Sequence, residues 1–142
     1  MGFTTNLLTG LGEYADAENV GNWGGPFIPT DTAITIDALP ATPDKGIAIT
    51  TYPVSDSGGT GSVIGVQFRV RGNPKDRTAD KDILDRIFDT FHDLEHVTIG
   101  GVPIIRMWRQ SGASLGPDTL NRPEHTANYY LEIIRSGTHR SD

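Results

Sequence analysis

Residues Ser62–His96, SVIGVQFRVRGNPKDRTADKDILDRIFDTFHDLEH, carry two hydrophobic periods in succession. From Ser62 to Arg71 the period is two. Ile64, Val66, Phe68 and Val70 point one way, and Gln67, Arg69 and Arg71 the other, as in a strand with one buried face. From Asp76 to His96 the period changes to that of a helix. Ile83, Leu84, Ile87, Phe88, Phe91 and Leu94 fall on one arc at about 100° per residue, and Asp82, Asp85, Asp89 and Asp93 on the opposite arc.

Reading outward, Phe3–Glu18 places Phe3, Leu7, Leu11, Tyr14 and Ala15 on one helical stripe. Thr4 or Thr5 is available to cap its start, and Asn19-Val20-Gly21 to end it. Gly21–Thr32 is rich in breakers and reads as a loop, with Trp23 and Phe27 either pinned to the core or held for a partner. Short strands are expected over 33–39 and 46–52, then a polar hairpin tip over 55–62. After the second helix, the segment from His96 to Arg109 reads as a hairpin turning at Gly100-Gly101. Ser111–Glu124, with two prolines and two glycines, reads as a loop, and His125–Ser136 as the last strand. The order α-β-β-β-α-β-β-β, without βαβ alternation, predicts a single α+β domain over 1–136. Its mostly antiparallel or mixed sheet has both helices on one face, and 137–142 form a flexible tail. The second sheet face, carrying Gln67, Arg69, Arg71, Arg106, Tyr130 and Glu132, is too polar for a core.

Composition narrows the function. The 142 residues suit one domain. No apolar run approaches the roughly 20 residues of a transmembrane helix, and Met1–Leu8 lacks the basic start of a signal peptide. Cysteine is absent, so thiolate metal sites and a cysteine nucleophile are excluded. Twelve basic residues against eighteen acidic ones give a net charge of −6, the wrong sign for a protein that grips nucleic acid. The chain reads as soluble, intracellular, compact and acidic.

Motifs for chemistry are weak. His92 and His96, at i and i+4, would share a helix face as in zinc proteases, but the required glutamate after the first histidine is Asp93 here, and no third ligand has a recognisable spacing. Gly58-Gly59-Thr60-Gly61 lacks the Gly-Lys-Ser/Thr of a phosphate loop, and Thr9-Gly10-Leu11-Gly12 lies within a helix. No nucleophile elbow is present. No cofactor, metal site or catalytic residue is expected. The segment Asp76–His96 instead carries seven acids against three bases, which reads as a solvated face or a surface that repels polyanions.

Several stretches resemble the tail terminator proteins of long-tailed, siphophage-like bacteriophages, of actinobacterial phages in particular, often labelled minor capsid or tail proteins. They are Phe3–Leu11 (FTTNLLTGL), Pro43–Ile49 (PDKGIAI), Ser62–Gly72, Leu115-Gly116-Pro117-Asp118, Arg122 and Asn128-Tyr129-Tyr130. The resemblance implies a non-catalytic virion protein of the tail or neck, assembled in the host cytoplasm. It would form a homohexameric ring that stops tail-tube growth and joins the tail to head-completion proteins. Partners would be the tube protein, a connector and passing double-stranded DNA, with no membrane. On this reading Asp82, Asp85, Asp89 and Asp93 form a lumen or outer acidic surface. Gln67, Arg69, Arg71, Arg106 and Arg109 are candidates for contact with a neighbouring subunit. The loops with Ser55, Asp56, Gly58 and Gly59, and with Leu115, Asp118 and Arg122, would reach axial partners. The alternatives are another neck or tail component (a head–tail connector or the tube subunit), a small hydrolase holding a metal on His92 and His96, and a host-binding module with an exposed Trp23 or Trp108.

Overall fold

The computed structural model describes residues 2–140. Its elements are α1 (Phe3–Ala17), β1 (Asn22–Trp23), β2 (Ala33–Ile36), β3 (Gly46–Asp56), β4 (Gly61–Arg71), α2 (Ala79–Phe91), β5 (Leu94–Ile99), β6 (Val102–Pro117) and β7 (Pro123–Ile134). The strands form one mixed seven-stranded sheet in the order β1-β2-β3-β4-β7-β6-β5. β1–β2 and β2–β3 are parallel, and the other pairs antiparallel. α1 touches β1, β2 and β3 at one flank of the sheet and β5 and β6 at the opposite flank, so the sheet curls around it. The α+β class and both helices on one face follow the expected pattern.

The alternating residues of β4 do what their period demands. Ile64, Val66, Phe68 and Val70 are buried against both helices, together with Leu7, Leu11, Ile83, Ile87 and Phe91. Tyr129, Leu131 and Ile133 bring β7 into the same core. α1 begins after Gly2 with no side-chain cap, so neither Thr4 nor Thr5 serves. It ends as expected: Asn19 turns left-handed at φ 61, and the Val20 N–H donates to Ala15 O at 2.9 Å. Gly100 (φ 59) and Gly101 (φ 76) make the β5–β6 turn. A Cβ on Gly10 would collide with the Gly100 backbone, so this glycine pair lets α1 lie directly on the turn.

Four expectations are corrected. The expected loop 21–32 contains β1; of the two places left open for Trp23, it takes the one against the core. The second helix is shorter than 76–96. At its start Asp76 Oδ1 accepts the Thr78 N–H at 2.9 Å, and at its end His92 turns extended at φ −69, ψ 128. Most of the expected loop Ser111–Glu124 is strand, with Ser111–Pro117 in β6 and Pro123–Glu124 in β7. The 55–62 tip shrinks likewise, since Ser55 and Asp56 lie in β3 and Gly61 and Ser62 in β4.

Burial of Tyr129 has a consequence for alkaline stability. Desolvation pushes its phenol up to about 12, with Asp89 adding to the shift and Arg109 opposing it. Above pH 10 the unfolded chain loses this proton while the folded chain keeps it, so stability falls as pH rises from about 10 to about 12. The expected loss is roughly 2–3 kcal/mol. Denaturant melts between pH 8 and 11.5 should show a steeper alkaline decline in the parent than in Tyr129→Phe, and parallel curves would refute the assignment.

Candidate functional site: the open sheet face, the acidic helix and the two hairpin tips

The sheet face turned away from the helices is built from alternate residues of β3, β4, β7 and β6. In register across it lie Tyr52, Gly65, Tyr130 and Trp108, and beside them Thr50, Gln67, Asn128 and Ser111. A Cβ at Gly65 would collide with the Tyr52 ring, so the glycine lets that ring lie flat across β4. Trp108 meets Tyr130 edge to face at 6.0 Å between centroids, and the Arg106 guanidinium stands 5.2 Å over the Trp108 ring. The polar row is bonded through: Gln67 Nε2 donates to Asn128 Oδ1 at 3.2 Å, and Asn128 Nδ2 to Ser111 Oγ at 3.1 Å. Arg69 pairs with Glu124 at 2.7 Å. The face is therefore stiff, aromatic down one row and fully polar down the next, a composition suited to protein contact.

Of the five residues expected at a subunit contact, the structure brings Gln67, Arg69 and Arg106 together on this face. Arg71 is not on offer. It is buried at the end of β4, where its Nε donates to Asp44 O at 2.8 Å and its Nη2 to Pro40 O at 2.5 Å and Pro43 O at 2.9 Å. Arg109 lies on the helix side, its guanidinium 4.4 Å over the Phe88 ring. Alternation alone could not find Tyr52 and Trp108, because each needs the neighbouring strand's register.

Asp82, Asp85 and Asp89 project from α2 into solvent as a stripe. Asp93 leaves it: the residue sits at φ 62 beyond the helix and pairs with Arg106 at 3.2 Å. His92 and His96 do not share a helix face, since His92 ends α2 and His96 lies in β5 at φ 52. Among the described residues no group of three or more His, Asp or Glu side chains is placed to hold a metal. Missed by the sequence is Asp80, buried at the start of α2, with His125 Nδ1 4.0 Å from its Oδ2. Asp80 borders a cavity of about 410 Å³ lined also by Lys75, Arg77 and Lys81, and His125 borders a second of about 210 Å³.

The two hairpin tips lie at opposite ends of the sheet, because Gly61 pairs with Ile134 at one end and Arg71 with Glu124 at the other. Gly58 and Gly59 lie at the β3–β4 tip, which Arg140 fastens from the tail by donating to Gly59 O at 2.7 Å and Ser62 Oγ at 2.9 Å. At the β6–β7 tip Arg122 is buried and pairs with Asp118 at 2.8 Å. Burial alone would raise the Asp118 pKa, but bonds from the Arg122 backbone and side chain and the Leu120 N–H outweigh it and hold the carboxyl below its usual range. Leu115 and Leu120 stay exposed around this braced turn.

A family model described as "Bacteriophage tail terminator protein" matches residues 10–134. Among solved structures, a chain of "Virion of native gene transfer agent (GTA) particle" shares the fold, with a TM-score of 0.56 at 12% identity over 70% of this chain and 78% of that one. No curated protein matches.

Proposed function

Since the chain belongs to the bacteriophage tail terminator family, we propose that it forms a hexameric ring at the head-proximal end of a phage tail tube. The ring stops tube growth, joins the tail to head-completion proteins and lets DNA pass. The match of the family model over residues 10–134 is the observation that carries this reading.

Size and charge support it. A 142-residue globule has a radius of gyration near 14–15 Å, hence a diameter of roughly 37 Å. Six such spheres in contact leave an opening about one sphere wide, roughly 37 Å, whereas three leave almost none. Six copies at −6 carry −36, which discourages passing DNA from adhering. The stripe Asp82, Asp85 and Asp89 supplies part of that charge wherever it faces. Tips at opposite ends of the sheet suit a subunit with two axial partners, the tube below and the connector above.

Light scattering and negative-stain imaging of the purified chain, alone and with tube subunits, test the assembly. Discrete six-fold annuli that cap tubes and halt their growth are the expected result. Open-ended filaments of this chain alone would make it a tube subunit instead.

A further inference from the structure

β6 and β3 each have one half with an unpartnered edge. β5 covers β6 only from Val102 to Met107, while β6 runs on to Pro117. β2 covers β3 only from Gly46 to Ile49, while β3 runs on to Asp56. Among the described residues neither remaining half makes a backbone ladder on its outer side. Gln110–Pro117 contains no charged residue, and edges that must stay single normally carry one. Two of the exposed large apolar residues sit on these halves, Leu115 on β6 and Val54 on β3.

We infer that the distal edge of β6, Gln110–Pro117, pairs with the distal edge of β3, Thr51–Asp56, of a second copy of this chain, joining the two sheets into one. The inference rests on the ring reading and specifies its contact.

Direction, side and offset all agree. β3 and β6 run antiparallel within the subunit through β4 and β7. A neighbour related by rotation about a ring axis therefore offers its β3 antiparallel to this β6. The free edges lie on opposite flanks of the sheet, so one patch meets a different patch, as a head-to-tail ring requires. Across the ladders Ala113 is level with Thr126, Arg69 and Ala48, while the middle of the free β3 edge is at Pro53, five residues further along. Five residues span about 17 Å and four strands about 19 Å, so matching the two edges tilts the strands by about 41°. That lies within the roughly 35–45° at which sheets close on themselves. Pro53 removes one donor from the β3 edge, so the ladder is short and exists only where the copies are held in register.

The chain has no cysteine, which makes cross-linking clean. Val54→Cys protein is mixed with Ser111→Cys, Ala113→Cys or Leu115→Cys protein, assembled with tube subunits and oxidised mildly. The expected result is a covalent heterodimer at one of the three positions at least tenfold above the others, with Val54→Cys and Ala113→Cys homodimers at background. Annuli visible by imaging without a cross-link at any position, or with homodimers dominant, would overturn the edge pairing and leave the ring standing. A chain that stays monomeric even with tube subunits would overturn both.

Discussion

Arg71→Ala is expected to lower the unfolding free energy by about 3 kcal/mol, which for a domain of this size shifts Tm by roughly 10 °C. The guanidinium is buried and donates to the carbonyls of Pro40, Pro43 and Asp44. These carbonyls lie in the 37–45 connection, which must cross over to let β2 and β3 run parallel. Without the arginine that connection loses three charge-assisted bonds at once, and its carbonyls turn inward with no donor. Burial, and then the neighbouring Arg122 guanidinium, already lower the Arg71 pKa, so the charge is held by these acceptors against an unfavourable setting. Arg71→Lys should recover only part of the loss, because one ammonium cannot serve three carbonyls in a fork. Thermal melts followed by circular dichroism decide the matter; a loss below about 1 kcal/mol would mean that water replaces the arginine.

Arg71 also marks where the sequence stops being legible. The period-two pattern of β4 correctly sends Gln67 and Arg69 to the open face, but it carries no information about a loop folding over the strand's end. Register was equally invisible: Tyr52, Tyr130 and Trp108 form one row only because Gly65 lies between the first two across β4. The distal half of β6 escaped because Gln110–Pro117 has neither alternation nor β-branched residues, which are the marks of a strand half-buried in its own subunit. Its pairing to β7 supplies strand geometry without a hydrophobic signal. α2 was legible in its middle and not at its ends. Ile83, Ile87 and Phe91 keep the helical period, whereas Leu94 continues the spacing by coincidence from within β5. That coincidence gave His92 and His96 a shared face they do not have. Gly10 and Gly12, empty as a phosphate motif, prove to be the places where α1 meets the Gly100 backbone and the Trp23 ring.

Phe91→Ala should cost more than the Arg71 change, about 3–5 kcal/mol. Phe91 is fully buried as the last residue of α2, and its ring stands 5.7 Å from Tyr14 of α1 and 5.2 Å from Phe68 of β4. Phe68 in turn meets Tyr129 of β7 edge to face at 5.4 Å. Truncating Phe91 therefore opens a void where both helices and the sheet meet, and no single element can move to fill it without uncovering another. The loss reaches the surface too. Immediately after Phe91 the chain leaves the helix, and the Asp93 N–H donates to Met107 O at 2.8 Å while its carboxylate pairs with Arg106 beside Trp108. Loosening the end of α2 thus frees the aromatic row of the open face. Phe91→Leu, which keeps most of the volume, should cost less than about 1.5 kcal/mol. Urea unfolding with an unchanged m-value is the measurement, and equal losses for Ala and Leu would show that ring packing, rather than the cavity, sets the cost.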